Sequence, residues 1–192
     1  MTLKIEPFNR LYFYHFNCSP NIEQYEKIVT WERNEKIMVT DGEGIETDYH
    51  FACRSSCDVP HLIQQRHYLW NDYIDICCGD KMQEMLKETN FQNLNLQTIW
   101  TQITSGKTWH GPHDHGAGND GTNWSFVYFV DVDKESGHEG TMFSNPADSG
   151  DCFQAEPKAG NMYLWPSNIL HYQPPSFCEK PRKIISGNIT LS

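Results

Sequence analysis

At 192 residues the chain is long enough to build one domain around a sizeable core, and its 38% hydrophobic and 13% aromatic content excludes a disordered chain. A formal net charge of −10 repels phosphate backbones at long range, which argues against general nucleic-acid binding and obliges any anionic small molecule to find a local positive anchor. Met1 to Pro7 lacks the apolar core of a signal peptide and no run approaches membrane-spanning length, so the default compartment is the cytosol.

In chain order, Leu11 to Phe16 reads as a strand, and Ser19-Pro20 supplies a helix start. Ile22, Tyr25, Ile28 and Val29 then recur on one helical face, with the helix expected to end near Arg33 to Lys36. Gly42 and Gly44 mark a loop. Asp58-Val59-Pro60 opens a longer helix with Leu62, Ile63, Arg66, Leu69, Trp70, Tyr73 and Ile74 in register, and Cys77-Cys78-Gly79 is expected to break or kink it before Met82, Met85 and Leu86. Both stripes read as core. His61 and His67 read as surface residues of this helix, because neither has a second ligand at i, i+4.

From Leu94 onward the period shortens. Leu94 to Thr104, Trp124 to Val132, Gly140 to Phe143, Asp151 to Ala155, Asn161 to Trp165 and Lys183 to Leu191 are β-rich runs separated by Gly, Pro, Asn and Asp. Many short strands with turns between them predict a closed or sandwiched antiparallel architecture flanked by helices, an α+β but mainly β class. No repeat, low-complexity stretch or linker divides the chain, so a single domain over residues 1–192 is expected, with 1–93 a mainly helical flank and 94–192 the β core. The seven cysteines, at 18, 53, 57, 77, 78, 152 and 178, contain no CxxC pair and read as reduced, mostly buried thiols.

The most chemically loaded stretch is Trp109-His110-Gly111-Pro112-His113-Asp114-His115-Gly116, which has a late counterpart in Leu170-His171-Tyr172 and a downstream Arg182. In an extended segment alternate side chains share a face, so His113 and His115 point at one ion while Asp114 points away. Such a pair with one more ligand leaves open positions on an octahedral metal, the arrangement of non-haem Fe(II) oxygenases. The plainer alternative is a solvated loop marked by Gly116, Gly118, Asn119, Asp120 and Gly121.

These motifs, taken with Leu96 to Trp100, Trp124 to Phe129, Gly140 to Phe143, Gly160 to Ser167 and Arg182 to Asn188, resemble the 2-oxoglutarate and Fe(II)-dependent oxygenases. Within them the chain is similar to the phage and bacterial branch related to prolyl hydroxylases. The resemblance covers roughly residues 94–192 and lies in the order and spacing of motifs. It implies a double-stranded β-helix, the distorted, cupin-like jelly roll, with the metal near one open end. His113 matches the first metal ligand and His171 the distal one. His115 falls where most members have Asp or Glu, although an HxH form resembles the phage-associated branch; a rival assignment lets Asp114 bind through a twisted loop. A neutral imidazole there leaves the centre one unit more positive.

By the same resemblance Arg182 stands where a basic residue holds the far carboxylate of 2-oxoglutarate, a task that suits its planar fork. Alternation puts Ile184, Ser186 and Asn188 on Arg182's face and sends Lys183 outward, so Ser186 and Asn188 are expected to line the same cavity. Ile184 and Phe129 depart from the hydroxyl residue and the tyrosine of many relatives, and Tyr128 reads as core rather than substrate-facing. The implied cofactors are Fe(II), 2-oxoglutarate as co-substrate and O2. The implied reaction hydroxylates a C–H bond of a peptide, amino acid or small molecule, releasing succinate and CO2 in the cytoplasm of a bacterium or phage-infected host. Trp109, His110 and Trp124, with the loop at 116–121, are expected to border the substrate entrance. Two other readings remain: a three-histidine, cupin-like metalloenzyme without 2-oxoglutarate, and a non-catalytic jelly-roll binding module. The sequence is silent on oligomeric state.

Overall fold

The computed structural model describes residues 4–8, 11–34, 38–40, 50–52, 60–104, 109–116, 123–135, 137–145, 148–175, 178 and 180–192. In chain order it contains β1 (Lys4–Phe8), β2 (Leu11–Asn17), α1 (Ile22–Asn34), β3 (Met38–Thr40), β4 (His50–Ala52), α2 (Pro60–Glu88), β5 (Leu94–Thr104), β6 (His110–His113), β7 (Asn123–Asp131), β8 (Met142–Asn145), β9 (Asp148–Gln154), β10 (Asn161–Pro166), β11 (Leu170–Gln173) and β12 (Arg182–Leu191). Eight strands form one sheet in the order β1, β2, β10, β7, β12, β5, β4, β3, and four form a second in the order β6, β11, β8, β9. The pairings within both sheets are antiparallel. This is the expected mainly β jelly roll with helices on one flank.

β7 shows why the layers form. Its run from Trp124 to Val130 is apolar except for Ser125, as a strand covered on both faces requires. On one face Trp124, Phe126, Tyr128 and Val130 share a core with Tyr25, Ile28 and Val29 of α1 and with Tyr73, Cys78, Met82 and Met85 of α2. On the other, Val127 and Phe129 meet Tyr163, Trp165 and Ile184 of the same sheet and Phe143 of the smaller one. Tyr128 is therefore core, as its alternation suggests, with Tyr73 6.4 Å away.

Three sequence expectations change. The helix at Pro60–Glu88 runs unbroken for 29 residues through Cys77-Cys78-Gly79. A helical glycine costs about 1 kcal/mol relative to alanine, whereas each buried apolar side chain stabilises by about 1.5–3 kcal/mol, and Cys78, Met82 and Met85 are all buried along this face. The first helix is capped by Asn21 rather than by Ser19-Pro20: Asn21 Oδ1 accepts from the Gln24 amide at 3.0 Å. Besides the expected strand, β2, residues 1–93 carry β1, β3 and β4, which extend the larger sheet at its two edges. These strands are short, and β1 contains Pro7, which an edge tolerates; they leave little periodic signal.

Gly42, Gly44, Cys53, Cys57, Asp58 and Val59 lie outside the described residues, as do the side chains of His61 and His67. Cys18, Cys77 and Cys78 are free thiols; Cys18, Cys78 and Cys178 are buried and Cys152 is exposed. Among the described residues no helix is long and apolar enough to cross a membrane.

β12 lies between β5 and β7 and has two unlike faces. Ile185, Ile189 and Leu191 face the helical core, while Arg182, Ile184 and Ser186 line a cleft toward the smaller sheet. Lys183 turns outward to Glu26 and Asp131. At Gly187 a β-carbon would stand 2.5 Å from both the Phe126 ring and the Thr98 carbonyl oxygen, so the central strand packs this closely only without a side chain. Gly187→Ala is expected to destabilise the protein by about 3 kcal/mol through overpacking. A chemical denaturation midpoint unchanged from wild type would contradict this account.

Candidate metal and acid-binding site

The smaller sheet brings two histidines together through register. β6 and β11 pair so that His113 lies opposite His171, and cross-strand partners hold their Cβ atoms about 5 Å apart. His115 follows two residues beyond His113, where the chain has left the strand, and its amide donates to the Ser167 carbonyl at 2.9 Å. That bond draws the segment back over the sheet. The ring centroids lie 5.3 Å apart for His113 and His115, 4.4 Å for His113 and His171, and 5.0 Å for His115 and His171. One ring nitrogen from each falls within 4.8 Å of the others, a group able to hold a metal ion. Asp114, the rival ligand, is exposed, and its Oδ1 accepts from the Gly116 amide at 2.9 Å.

The hydrogen bonds around the rings decide which nitrogen is offered. His113 Nδ1 donates to the Gly111 carbonyl at 2.8 Å, and His171 Nδ1 to the Ile169 carbonyl at 2.9 Å. His115 Nδ1 lies 2.6 Å from Asn188 Oδ1 and 3.0 Å from Ser125 Oγ. Asn188 Nδ2 donates to Thr98 Oγ1 at 2.9 Å, and the Ser125 hydroxyl donates to Asn188 Oδ1 at 2.9 Å, so the amide oxygen is the acceptor facing His115. With every Nδ1–H engaged, Nε2 is the nitrogen of each ring left to face a metal. Such partners orient metal-ligating imidazoles and raise their basicity. Burial, reinforced by the neighbouring His113 ring, pushes His171 down to about 3, so in the metal-free protein it stays neutral through the physiological range.

The same cleft contains Arg182, 1% exposed at the start of β12. Its Nη1 donates to Gln173 Oε1 at 2.8 Å and its Nη2 reaches Thr141 Oγ1 at 3.5 Å, while the guanidinium lies 5.3 Å from the Phe129 ring centroid. Gln173 Nε2 in turn donates to Thr104 Oγ1 at 3.1 Å. Gln173 stands two residues after His171 on β11, so one strand serves both ends of the cleft. Gln173, Thr141, Ser125, Ser167 and Thr98 were not singled out by the sequence. The signal that finds Gln173 is the alternation that already joined His113 to His115.

The structure divides the remaining expectations. Ser186 lines the cleft beside Arg182 and Ile184. Asn188 is engaged with His115: it shares Arg182's face, but six residues along a strand span about 20 Å, enough to reach the histidine end. His110 lines the cleft with its ring 4.1 Å from that of His113, and Trp109 is 59% exposed. Trp124 is not at the entrance; it is buried between Tyr14, at 5.2 Å, and Phe91, at 5.9 Å. Residues 117–121 of the expected rim lie outside the described residues.

No protein-family model and no curated protein matches this sequence. Solved structures do match in shape. The non-haem α-ketoglutarate-dependent epimerase SnoN of nogalamycin biosynthesis superposes over 93% of this chain and 78% of its own, at 14% identity and a TM-score of 0.57. The fold is the jelly roll that these solved structures share. A prolyl hydroxylase from Trichoplax adhaerens, in complex with a hypoxia-inducible-factor peptide, covers 93% of this chain and 82% of its own at 12% identity and a TM-score of 0.55. The viral collagen prolyl hydroxylase of Paramecium bursaria Chlorella virus-1, in complex with 2-oxoglutarate, covers 94% and 96% at 11% identity and a TM-score of 0.52. At these identities the likeness is one of fold.

Two outcomes follow from the hydrogen bonds and burial. Asn188→Ala is expected to weaken Ni(II) or Co(II) binding by about 10- to 100-fold, with Asn188→Asp restoring much of it because a carboxylate also accepts from His115 Nδ1; competition against a chelator measures both. Below its unfolded value near 6.5 the His171 ring is protonated in the unfolded chain but still neutral in the folded one, so metal-free stability falls as the pH drops from about 6.5 toward 3. In His171→Phe this slope is expected to be shallower, read from urea midpoints across that range.

Proposed function

We propose that this protein is a non-haem Fe(II) and 2-oxoglutarate-dependent oxygenase that hydroxylates a C–H bond of a peptide, amino acid or other small molecule, forming succinate and CO2. The observation that carries the reading is the sharing of one cleft by the three convergent histidines and the buried Arg182. The donor set fits a divalent first-row metal: three neutral imidazoles, each with Nδ1 engaged, leave coordination positions for substrate and oxygen. The other end fits an acid. A guanidinium removed from water gains most from an anion that takes two parallel hydrogen bonds.

Iron, when bound, supplies the coupling of O2 reduction to oxidative decarboxylation of the keto acid, one oxygen atom entering succinate and the other the substrate C–H bond. The protein's own residues position the reactants. Gly111, Ile169 and Asn188 hold the imidazoles in orientation; Arg182 anchors the far carboxylate of 2-oxoglutarate, with Ser186 beside it. Trp165 and Phe143 pack against His171 at 5.0 and 6.1 Å, limiting water behind the ligand. Trp100, His110 and Tyr172 line the cleft and are available to a substrate. We read residues 1–192 as one oxygenase domain, and the free thiols of Cys18, Cys77 and Cys78 support a reducing, cytosolic setting.

The all-imidazole set also favours a second reading, a three-histidine metalloenzyme that does not use 2-oxoglutarate. One experiment separates them. On anaerobic titration with Fe(II) and 2-oxoglutarate, the wild type is expected to develop the visible charge-transfer band of a chelated keto acid. His171→Ala should lose it through loss of metal, and Arg182→Ala should retain metal while binding 2-oxoglutarate on the order of 100-fold more weakly. A wild-type protein that binds iron but gives no band, or a band unaltered in both variants, refutes the assignment.

A further inference from the structure

Gln102 lies on β5, 4% exposed, and lines the same cleft. Its Nε2 is buried and has no hydrogen-bond partner among the described residues. A buried amide without an acceptor is costly in a folded protein, and natural structures leave one chiefly where a ligand or water completes it. The indole Nε1 of Trp165, also lining the cleft, is in the same condition. Both are N–H donors, so the cleft lacks acceptors rather than donors. The missing group is therefore acceptor-rich, as a carboxylate is.

Strand register locates Gln102 along the cleft. β12 and β5 pair Arg182 with Thr104, Ile184 with Gln102, Ser186 with Trp100 and Asn188 with Thr98. The Thr98 row holds the amide that orients His115, and the Trp100 ring lies 5.5 Å from that of His115. The Thr104 row supports Gln173 and through it Arg182. Gln102 stands between, in the row next to Arg182, where a chain running from the histidines to the guanidinium must pass.

We infer that Gln102 is a specificity residue for the co-substrate, donating Nε2–H to the far carboxylate that Arg182 also binds, so that the pair selects a 2-oxo dicarboxylate over a 2-oxo monocarboxylate. The inference rests on the oxygenase reading above and adds a role to that site. Arg182 supplies charge, and Gln102 supplies a directional donor to an oxygen lone pair that the guanidinium fork leaves open. A neutral donor adds affinity without adding a second buried charge.

The test is calorimetric titration of the Ni(II)-loaded protein, which needs no turnover, with 2-oxoglutarate and with 2-oxopentanoate, a keto acid of equal length lacking the far carboxylate. Gln102→Met keeps the length and bulk of the side chain. It should raise the Kd for 2-oxoglutarate roughly tenfold and leave 2-oxopentanoate unchanged, narrowing the selectivity by that factor. Gln102→Glu is isosteric, so it carries the comparison if the methionine variant folds poorly; its carboxylate should compete for Arg182 and remove the preference for the dicarboxylate. A packing role would move both ligands together. An unchanged selectivity ratio in either folded variant overturns the role of Gln102 while leaving the oxygenase reading intact; failure of the wild type to bind 2-oxoglutarate overturns both.

Discussion

Burying Arg182 constrains the geometry around it. A guanidinium at 1% exposure has lost its hydration, and protein groups must replace enough of those hydrogen bonds for the fold to keep it. Gln173 comes from β11 of the smaller sheet, Thr104 behind it from β5 of the larger, and Thr141 from the segment before β8. Satisfying one cation therefore ties the two sheets together at one end of the cleft. Because Gln173 follows His171 by two residues, the same tie sets the depth of the buried imidazole.

At the other end the linkage is neutral. His115 reaches Asn188 and Ser125, which belong to β12 and β7, and its backbone reaches Ser167. The larger sheet thus orients a histidine whose partners stand on the smaller one. In the proposed oxygenase, a centre held by three imidazoles keeps the full charge of its dication where a carboxylate ligand would cancel one unit. An anionic keto acid then meets positive charge at both of its ends. In that reading a chain with a net charge of −10 would accommodate a dianion through positive charge placed locally in the cleft.

Much of the site was legible because strand alternation is a local rule. It places His113 with His115, and Arg182 with Ile184 and Ser186, and it turns Asp114 and Lys183 outward; the structure shows each of these. Alternation names a face but not a partner. Asn188 shares Arg182's face yet serves His115, because distance along the strand separates the two ends of the cleft. Trp124 lies close in sequence to the histidines yet packs under Tyr14 and Phe91, because β7 presents that face to the helices. The unbroken second helix shows the same limit. Gly79 weakens a helix locally, and the burial of Cys78, Met82 and Met85 against the sheet outweighs it.

The sequence by itself determined the mainly β class, the pairing of faces along each strand and the ligand types available, since all three follow from periods of two to four residues and from side-chain chemistry. Only the tertiary structure decided that β12 lies between β5 and β7, that β11 lies between β6 and β8, and hence that Gln173 and Thr141 meet Arg182 in a cleft that Gln102 also lines. Sheet order is set by burial summed over the whole chain, and contacts between residues many tens of positions apart leave no local period to read.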